Sequence, residues 1–285
     1  MRFDRVIVVD WSGRAAPSPR RESKDAIWIG QCDSAGESQS YHRTRTEAEA
    51  FLHAQLAEGG RQLVGFDFPM GYPSGFAERL TGTASARALH GWLARRINDG
   101  PDNLNNRFEI AAAINQALGG AGPFWGCPKG RPRPYLPSLK TVDYIALGLA
   151  EKRRVERENP RAKPVWQLLG AGSVGSQALL GIPVVHRLAR AFGAAIWPFE
   201  PLSALTFAEV YPSDAYAARL WAALDTETGP DALLTRAESD LMAIEEQLAE
   251  VTDRLAPLLA VPPEAAEEGW ILGAGQADLL AGALR

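Results

Sequence analysis

Hydrophobic residues in this chain come in short blocks, and the spacing within each block predicts the element it forms. The first block, "RVIVVD" (5–10), has four consecutive β-branched residues, which suits a strand buried on both faces, and it runs straight into Asp10. "DAIWIGQCD" (25–33) alternates, with Ile27 and Ile29 on one face and Ala26 and Trp28 on the other. "SQSYHRTR" (38–45) is a weaker, polar third strand, and such close spacing predicts an antiparallel meander. Helical spacing follows in Ala48, Phe51, Leu52 and Leu56, opened by a capping box at Thr46 and Glu49 and closed by Gly59-Gly60. "RQLVGFDFPMGYP" (61–73) is a fourth apolar strand, again ending in a carboxylate, Asp67.

Beyond residue 73 the pattern changes. Helical stretches over 84–97 and 105–118 flank a Pro/Gly-rich loop, and a charged helix is expected over 141–158. Regularity returns with a strand over 204–211 that carries Glu209 to its end. Ser213 then caps a helix through Ala217, Leu220 and Trp221, an acidic helical region covers 231–258, and the last ten residues form a small-residue helix holding Asp278. The expected organisation is a core of 1–73 and 204–285, interrupted by a basic helical and loop insertion, a cap, over 74–203.

Composition narrows the class. With 46% hydrophobic and 22% charged residues, the 285-residue chain is an ordinary globular protein, and a net charge of −4 argues against a general polyanion binder. Cys32 and Cys127 form no paired motif, no leader opens the chain and no apolar run spans a bilayer, so a cytoplasmic, non-membrane protein is expected. Charge is uneven: residues 121–165 carry ten bases against four acids, whereas 224–268 carry twelve acids against two bases. Two solvated surfaces explain this, as does a basic arm beside an acidic pocket, which suits a phosphate-bearing substrate.

The chemistry lies in the acids. If the first and fourth strands lie side by side and parallel, Asp10 and Asp67 emerge at one edge, with Glu209 at the end of the later strand and Asp278 on a helix able to cross that edge. Converging carboxylates repel one another unless a cation neutralises them, and an all-oxygen cluster suits Mg²⁺ or Mn²⁺. Taken singly, Asp10 and Asp67 are equally explained as turn-capping residues and Asp278 as a helix-dipole charge.

The order of elements and the acids Asp10, Asp67 and Asp278 resemble the ribonuclease H-like superfamily. "VVDWSG", "FDFPMGYP", "AEVYPS" and "EEGWILGAGQADLLAGAL", with "NNRFEIAAAIN", "GPFWGCP" and "GAGSVGSQALLGIP" in the insertion, are similar to one bacterial family within it, described as predicted nucleases. The resemblance implies an α/β fold with a mixed five-stranded sheet flanked by helices, and a large insertion between the fourth and fifth strands. It also implies divalent-metal hydrolysis of nucleic acid, with Asp10, Asp67 and Asp278 as metal ligands. Many relatives carry two acids in the last helix, whereas this chain has Asp278 alone there, leaving Glu209, Glu267 and Glu268 as candidates for a fourth.

Other signals compete. "GAGSVG" (170–175) fits a dinucleotide fingerprint, but no acid follows at the spacing a ribose would need. A looser reading is a phosphate-holding loop with Ser173, Ser176 and Gln177. Ser12, Arg107, Lys129 and Arg131 are further candidates for phosphate contact, Arg107 as a clamp. His42, His53, His90 and His186 show no metal-ligand spacing, and His53 reads as a surface group linked to Glu49. A metal-dependent phosphodiester hydrolase acting on nucleic acid or a nucleotide is the leading expectation. A nucleotide- or phosphometabolite-handling enzyme on the same scaffold and a non-catalytic binding protein are the alternatives.

Overall fold

A computed structural model describes residues 3–120, 122–158, 162–211 and 261–274. Six strands form one mixed sheet in the order β3-β2-β1-β4-β6-β5. β1 (Arg5–Asp10), β2 (Ile27–Asp33) and β3 (Gly36–His42) make the antiparallel meander. β4 (Gln62–Phe66) pairs parallel with β1 on one side and with β6 (Leu205–Glu209) on the other. The edge strand, β5 (Ala195–Ile196), is parallel to β6 and raises the sheet from the expected five strands to six. At two residues it is too short to show a period in the sequence, and it lies inside the segment expected to be a cap.

The β-branched run of β1 is buried on both sides because both faces of the sheet are covered. Ile7 and Val9 join one core with Val64, Phe66 and the helices, while Val6 and Val8 join a second with Leu63, Ala208, Val210 and Trp270. Gly65 lets Val210 lie against the sheet, since a Cβ there would come within 2.7 Å of its methyl group.

On the first face, α1 (Arg45–Ala57) buries Ala48, Leu52 and Leu56. Its capping box is Thr44 with Glu47, two residues before the expected pair: the chain leaves β3 at His42, and Thr44 already has extended geometry. Short α2 (Phe76–Thr81) leads to α3 (Ala86–Ala94) and α4 (Arg107–Ala117). The expected charged helix is two pieces, α5 (Tyr144–Leu147) and α6 (Arg154–Glu158), because Gly148 takes a left-handed conformation and ends the first. α7 (Gly175–Phe192) packs against α1 and α3, and Gly181 lies so close to Phe68 that a Cβ would meet its ring at 2.2 Å. α8 (Ala265–Glu268) precedes a bridge from Ile271 to Glu209.

Residues 74–203 therefore supply α7, β5 and much of the first core, with Phe76, Leu89, Phe124 and Trp166 continuous with Val9 and Phe66. The Pro/Gly-rich loop is tied down by Asn115, whose amide donates to the carbonyls of Phe124 and Tyr135 at 2.9 and 2.7 Å. Among the described residues, no helix is long and apolar enough to cross a membrane. The expected helices over 213–221 and 231–258 and the last helix with Asp278 fall outside the described residues.

Candidate functional site

Parallel pairing aligns the carboxyl ends of β1, β4 and β6, the edge at which open α/β sheets place their ligands. Val9 pairs with Phe66, and Phe66 with Glu209, so Asp10, Asp67 and Glu209 arrive there together. Their surroundings then separate them.

Asp10 and Asp67 lie on the floor of an open pocket of about 850 Å³, and their carboxyl groups hydrogen-bond each other. Asp67 Oδ1 also accepts the Trp11 N–H at 2.8 Å, while the Asp67 N–H donates to Val9 O at 3.1 Å. It is thus Asp67, not Asp10, that caps the turn after β1. Neither carboxylate has an ion-pair partner among the described residues. Desolvation raises Asp10 to about 7, with the Asp25 charge adding to it. Desolvation and the neighbouring Asp10 push Asp67 well above the usual carboxylate range. Burial and mutual repulsion thus favour a proton on the pair.

The rim is built from three directions. The loop after β1 contributes Trp11, Ser12, Gly13 and Arg14, and the segment before β2 contributes Lys24 and Asp25. From the region expected to be a cap come Arg107 at the start of α4, Leu168 and Leu169, and the loop 170–174 with Ser176 and Gln177 of α7. Ser12 does local work there: its hydroxyl donates to Asp25 O at 3.0 Å and accepts the Arg14 N–H at 3.4 Å. Gln177 donates to Trp11 O, tying α7 to that loop.

Arg107 is 6% exposed. Its Nε donates to Ser176 Oγ at 2.8 Å and its Nη1 to Asn105 Oδ1 at 2.7 Å. Ser176 is fixed in turn by donating to Leu168 O at 2.6 Å. Burial and the nearby Arg45 charge lower Arg107 to about 10.

Seven of the residues singled out in the sequence thus share one pocket: Asp10, Asp67, Ser12, Arg107, Ser173, Ser176 and Gln177. The others do not. Glu209 is 3% exposed and gripped by Arg153, whose Nη1 and Nη2 donate to its two oxygens at 2.7 and 2.6 Å, while it also accepts the Met70 N–H at 3.0 Å. Glu268 accepts from Ser74 and the Arg154 N–H, and Glu267 from the Gly75 N–H, so both hold the turn after residue 73. Lys129 and Arg131 are exposed and do not line the pocket. Asp278 is outside the described residues, among which no three His, Cys, Asp or Glu side chains form a group that could hold a metal ion.

Four bases of the expected basic arm are held in ion pairs: Arg153 with Glu209 and Glu156, Arg154 with Glu158 and Glu264, Arg133 with Glu109, and Lys140 with Glu151. Several of their acidic partners lie elsewhere in the chain, so a count over one segment cannot see them. Nor does a strand precede "GAGSVG", so the dinucleotide context is missing. Glu49 pairs with Arg187, leaving His53 edge-on to the Phe192 ring at 4.7 Å between centroids.

One positioning residue escaped the sequence reading. Arg45, 1% exposed, donates to the carbonyls of Ser12 and Arg14 at 3.0 and 2.7 Å and forms an ion pair with Asp99, fixing the pocket loop from behind. Its sequence context, "RTRTE", shows only a helix start.

No family model, no curated protein and no solved structure matches this chain.

Proposed function

We propose that this chain is a divalent-metal-dependent phosphodiester hydrolase of ribonuclease H-like type, acting on nucleic acid or a nucleotide. One observation carries the reading: two carboxyl groups from the ends of adjacent parallel strands touch each other on the floor of an open pocket, without a countercharge among the described residues. Holding two acids in contact is costly, and a cation relieves that cost. The all-oxygen donor set fits Mg²⁺ or Mn²⁺, with Asp10 and Asp67 as ligands and Asp278 as the third that the resemblance implies. When bound, such an ion supplies water activation and stabilises the charge of a leaving oxygen.

The chain's own residues define the rest of the chemistry. Before an ion binds, the proton between Asp10 and Asp67 must leave, so binding releases a proton and strengthens as pH rises. The Trp11 N–H fixes one oxygen of Asp67. Arg45 and Gln177 fix the Trp11–Arg14 loop, which sets the pocket wall beside the acids.

The deciding experiment is thermal melting with and without Mn²⁺ for wild type and Asp10→Asn. Mn²⁺ should raise the melting temperature of the wild type and leave the variant unmoved, while the variant without metal melts at the same temperature or higher. Equal Mn²⁺ responses in the two proteins would sink the reading. Hydrolysis of single-stranded and duplex DNA and RNA then identifies the polymer. A second reading, a nucleotide- or phosphometabolite-handling enzyme, is favoured by the way loop 170–174 walls the pocket to a size suited to small ligands. A melting screen of nucleotides tests it.

A further inference from the structure

The pocket that holds the acids also holds a buried cation, stacked on the Phe108 ring, that has no ion-pair partner among the described residues. Arg107 is more than nine-tenths buried, yet its two oriented hydrogen bonds go to the neutral oxygens of Ser176 and Asn105. The acids in its neighbourhood are engaged elsewhere, Asp99 by Arg45 and Glu109 by Arg133. No carboxylate among the described residues lies within ion-pair distance of Arg107, and its Nη2 has no hydrogen-bond acceptor among them. A buried guanidinium without a counterion is costly, and this one borders an open pocket.

The first turn of α7 borders the same space. No side chain caps this 18-residue helix, and the N–H groups of Ser176 and Gln177 find no acceptor among the described residues. Gly13 keeps the approach narrow, since a Cβ there would stand 3.1 Å from Ser176 Cβ and 3.6 Å from Gln177 N. Ser173 completes the wall. Unused N–H donors at a helix start, together with a free guanidinium edge, suit a tetrahedral oxyanion.

We propose that Arg107, Ser173 and the first turn of α7 form an anion subsite that takes a phosphoryl group of the substrate, in the same pocket as Asp10 and Asp67. This deepens the hydrolase reading by naming a phosphate that the substrate must carry, whether a terminal monoester or a backbone diester. Arg107 and α7 hold that phosphate without help from a metal ion.

The test is a calorimetric titration of the protein with inorganic phosphate in the presence of a chelator, so that failure of the metal reading does not touch it. Wild type should bind, and Arg107→Gln should bind at least about tenfold more weakly. Arg107→Lys, which keeps the charge but loses the fork, should fall between them and guards against a variant that fails to fold. Asp10→Asn should bind phosphate as well as wild type or better, because a negative charge in the same pocket is gone. Competition by a nucleoside monophosphate alone identifies a terminal phosphate as the source; competition by a dinucleoside linked through one diester identifies a backbone phosphate. No phosphate binding by wild type, equal binding by Arg107→Gln, or competition by neither nucleotide overturns the proposal.

Discussion

Two places along the carboxyl edge of the parallel strands show how differently a strand-terminal acid can be used. Glu209 at the end of β6 is matched by both Nη atoms of a buried arginine and by a backbone N–H, so its charge is fully answered. Asp10 and Asp67, at the ends of β1 and β4, have each other and the Trp11 N–H for partners, no cation among the described residues, and open into a pocket. Register separates them: Glu209 pairs with Phe66, one residue before Asp67, and so takes the opposite face of the sheet, where Arg153 meets it. A carboxylate at a strand end is therefore not evidence of chemistry until its countercharge has been looked for.

The sharpest way to break this contrast is to remove the bolt. Arg153→Met leaves Glu209 and Glu156 buried without a cation, and loss of one partner from such a group costs about 3–5 kcal/mol. Denaturant unfolding should show a drop of that size, and Glu209→Gln in the same background should recover part of it. A loss below about 1 kcal/mol would mean that the buried pair does not hold the sheet edge.

On the other side of the contrast, Asp67→Asn should spare the fold and abolish the chemistry. Asn keeps an oxygen for the Trp11 N–H and removes the repulsion from Asp10, so unfolding without metal should be unchanged or shifted toward greater stability. Hydrolysis should fall by more than the roughly 10–100-fold lost when even an outer partner of a metal ligand is removed. An active Asp67→Asn enzyme would return Asp67 to the role of turn cap.

The sheet, apart from its sixth strand, and the meeting of Asp10 and Asp67 at one edge were legible in the sequence for a physical reason. Local period and turn residues are written in neighbouring positions, so the meander, the parallel β1–β4 pair and the acids at their ends could be inferred from the order of blocks. β5 at two residues has no period to read. The bond from Arg153 to Glu209 spans 56 positions and that from Arg45 to Ser12 spans 33, so neither leaves a trace in any short window. The same limit made the basic stretch look like an arm, when several of its arginines are spent on acids from other parts of the fold.

Acidity offers a finer probe of the open pair. An unfolded aspartate titrates near 3.9, whereas burial raises Asp10 to about 7. Between those values the folded protein holds a proton that the unfolded chain has released. The pair's contribution to the stability of the metal-free protein should therefore be largest below about pH 4 and fall as pH rises from about 4 to 7. The slope for one proton is no more than about 1.4 kcal/mol per pH unit, and is smaller here because the pocket admits water. Asp67, raised further by Asp10, extends the decline upward. Unfolding free energies across this range should show the decline in wild type, lose it in Asp10→Asn, and flatten under saturating Mn²⁺. A slope unchanged in the variant would assign the titration elsewhere.

The smallest expected effect falls on Lys129 and Arg131, which the sequence made candidates for phosphate contact and which lie exposed outside the pocket. The carbonyl of Arg131 accepts from Cys127 Sγ and from Arg133, but those bonds involve the backbone and survive truncation of the side chain. Replacing both residues by alanine should change stability by no more than about 0.5 kcal/mol, the usual range for surface positions. With a dinucleotide, hydrolysis should change less than about twofold, because exposed charges outside the pocket are screened over about 8–10 Å at physiological salt. A long polymer is the stricter case: each phosphate deprived of its basic partner should lower the salt dependence of binding by about one unit of log–log slope. An unchanged slope keeps recognition inside the pocket, at Arg107 and the start of α7. A fall of about two units would put the 128–133 loop on the substrate path, and the open site would then extend well beyond the two acids that define it.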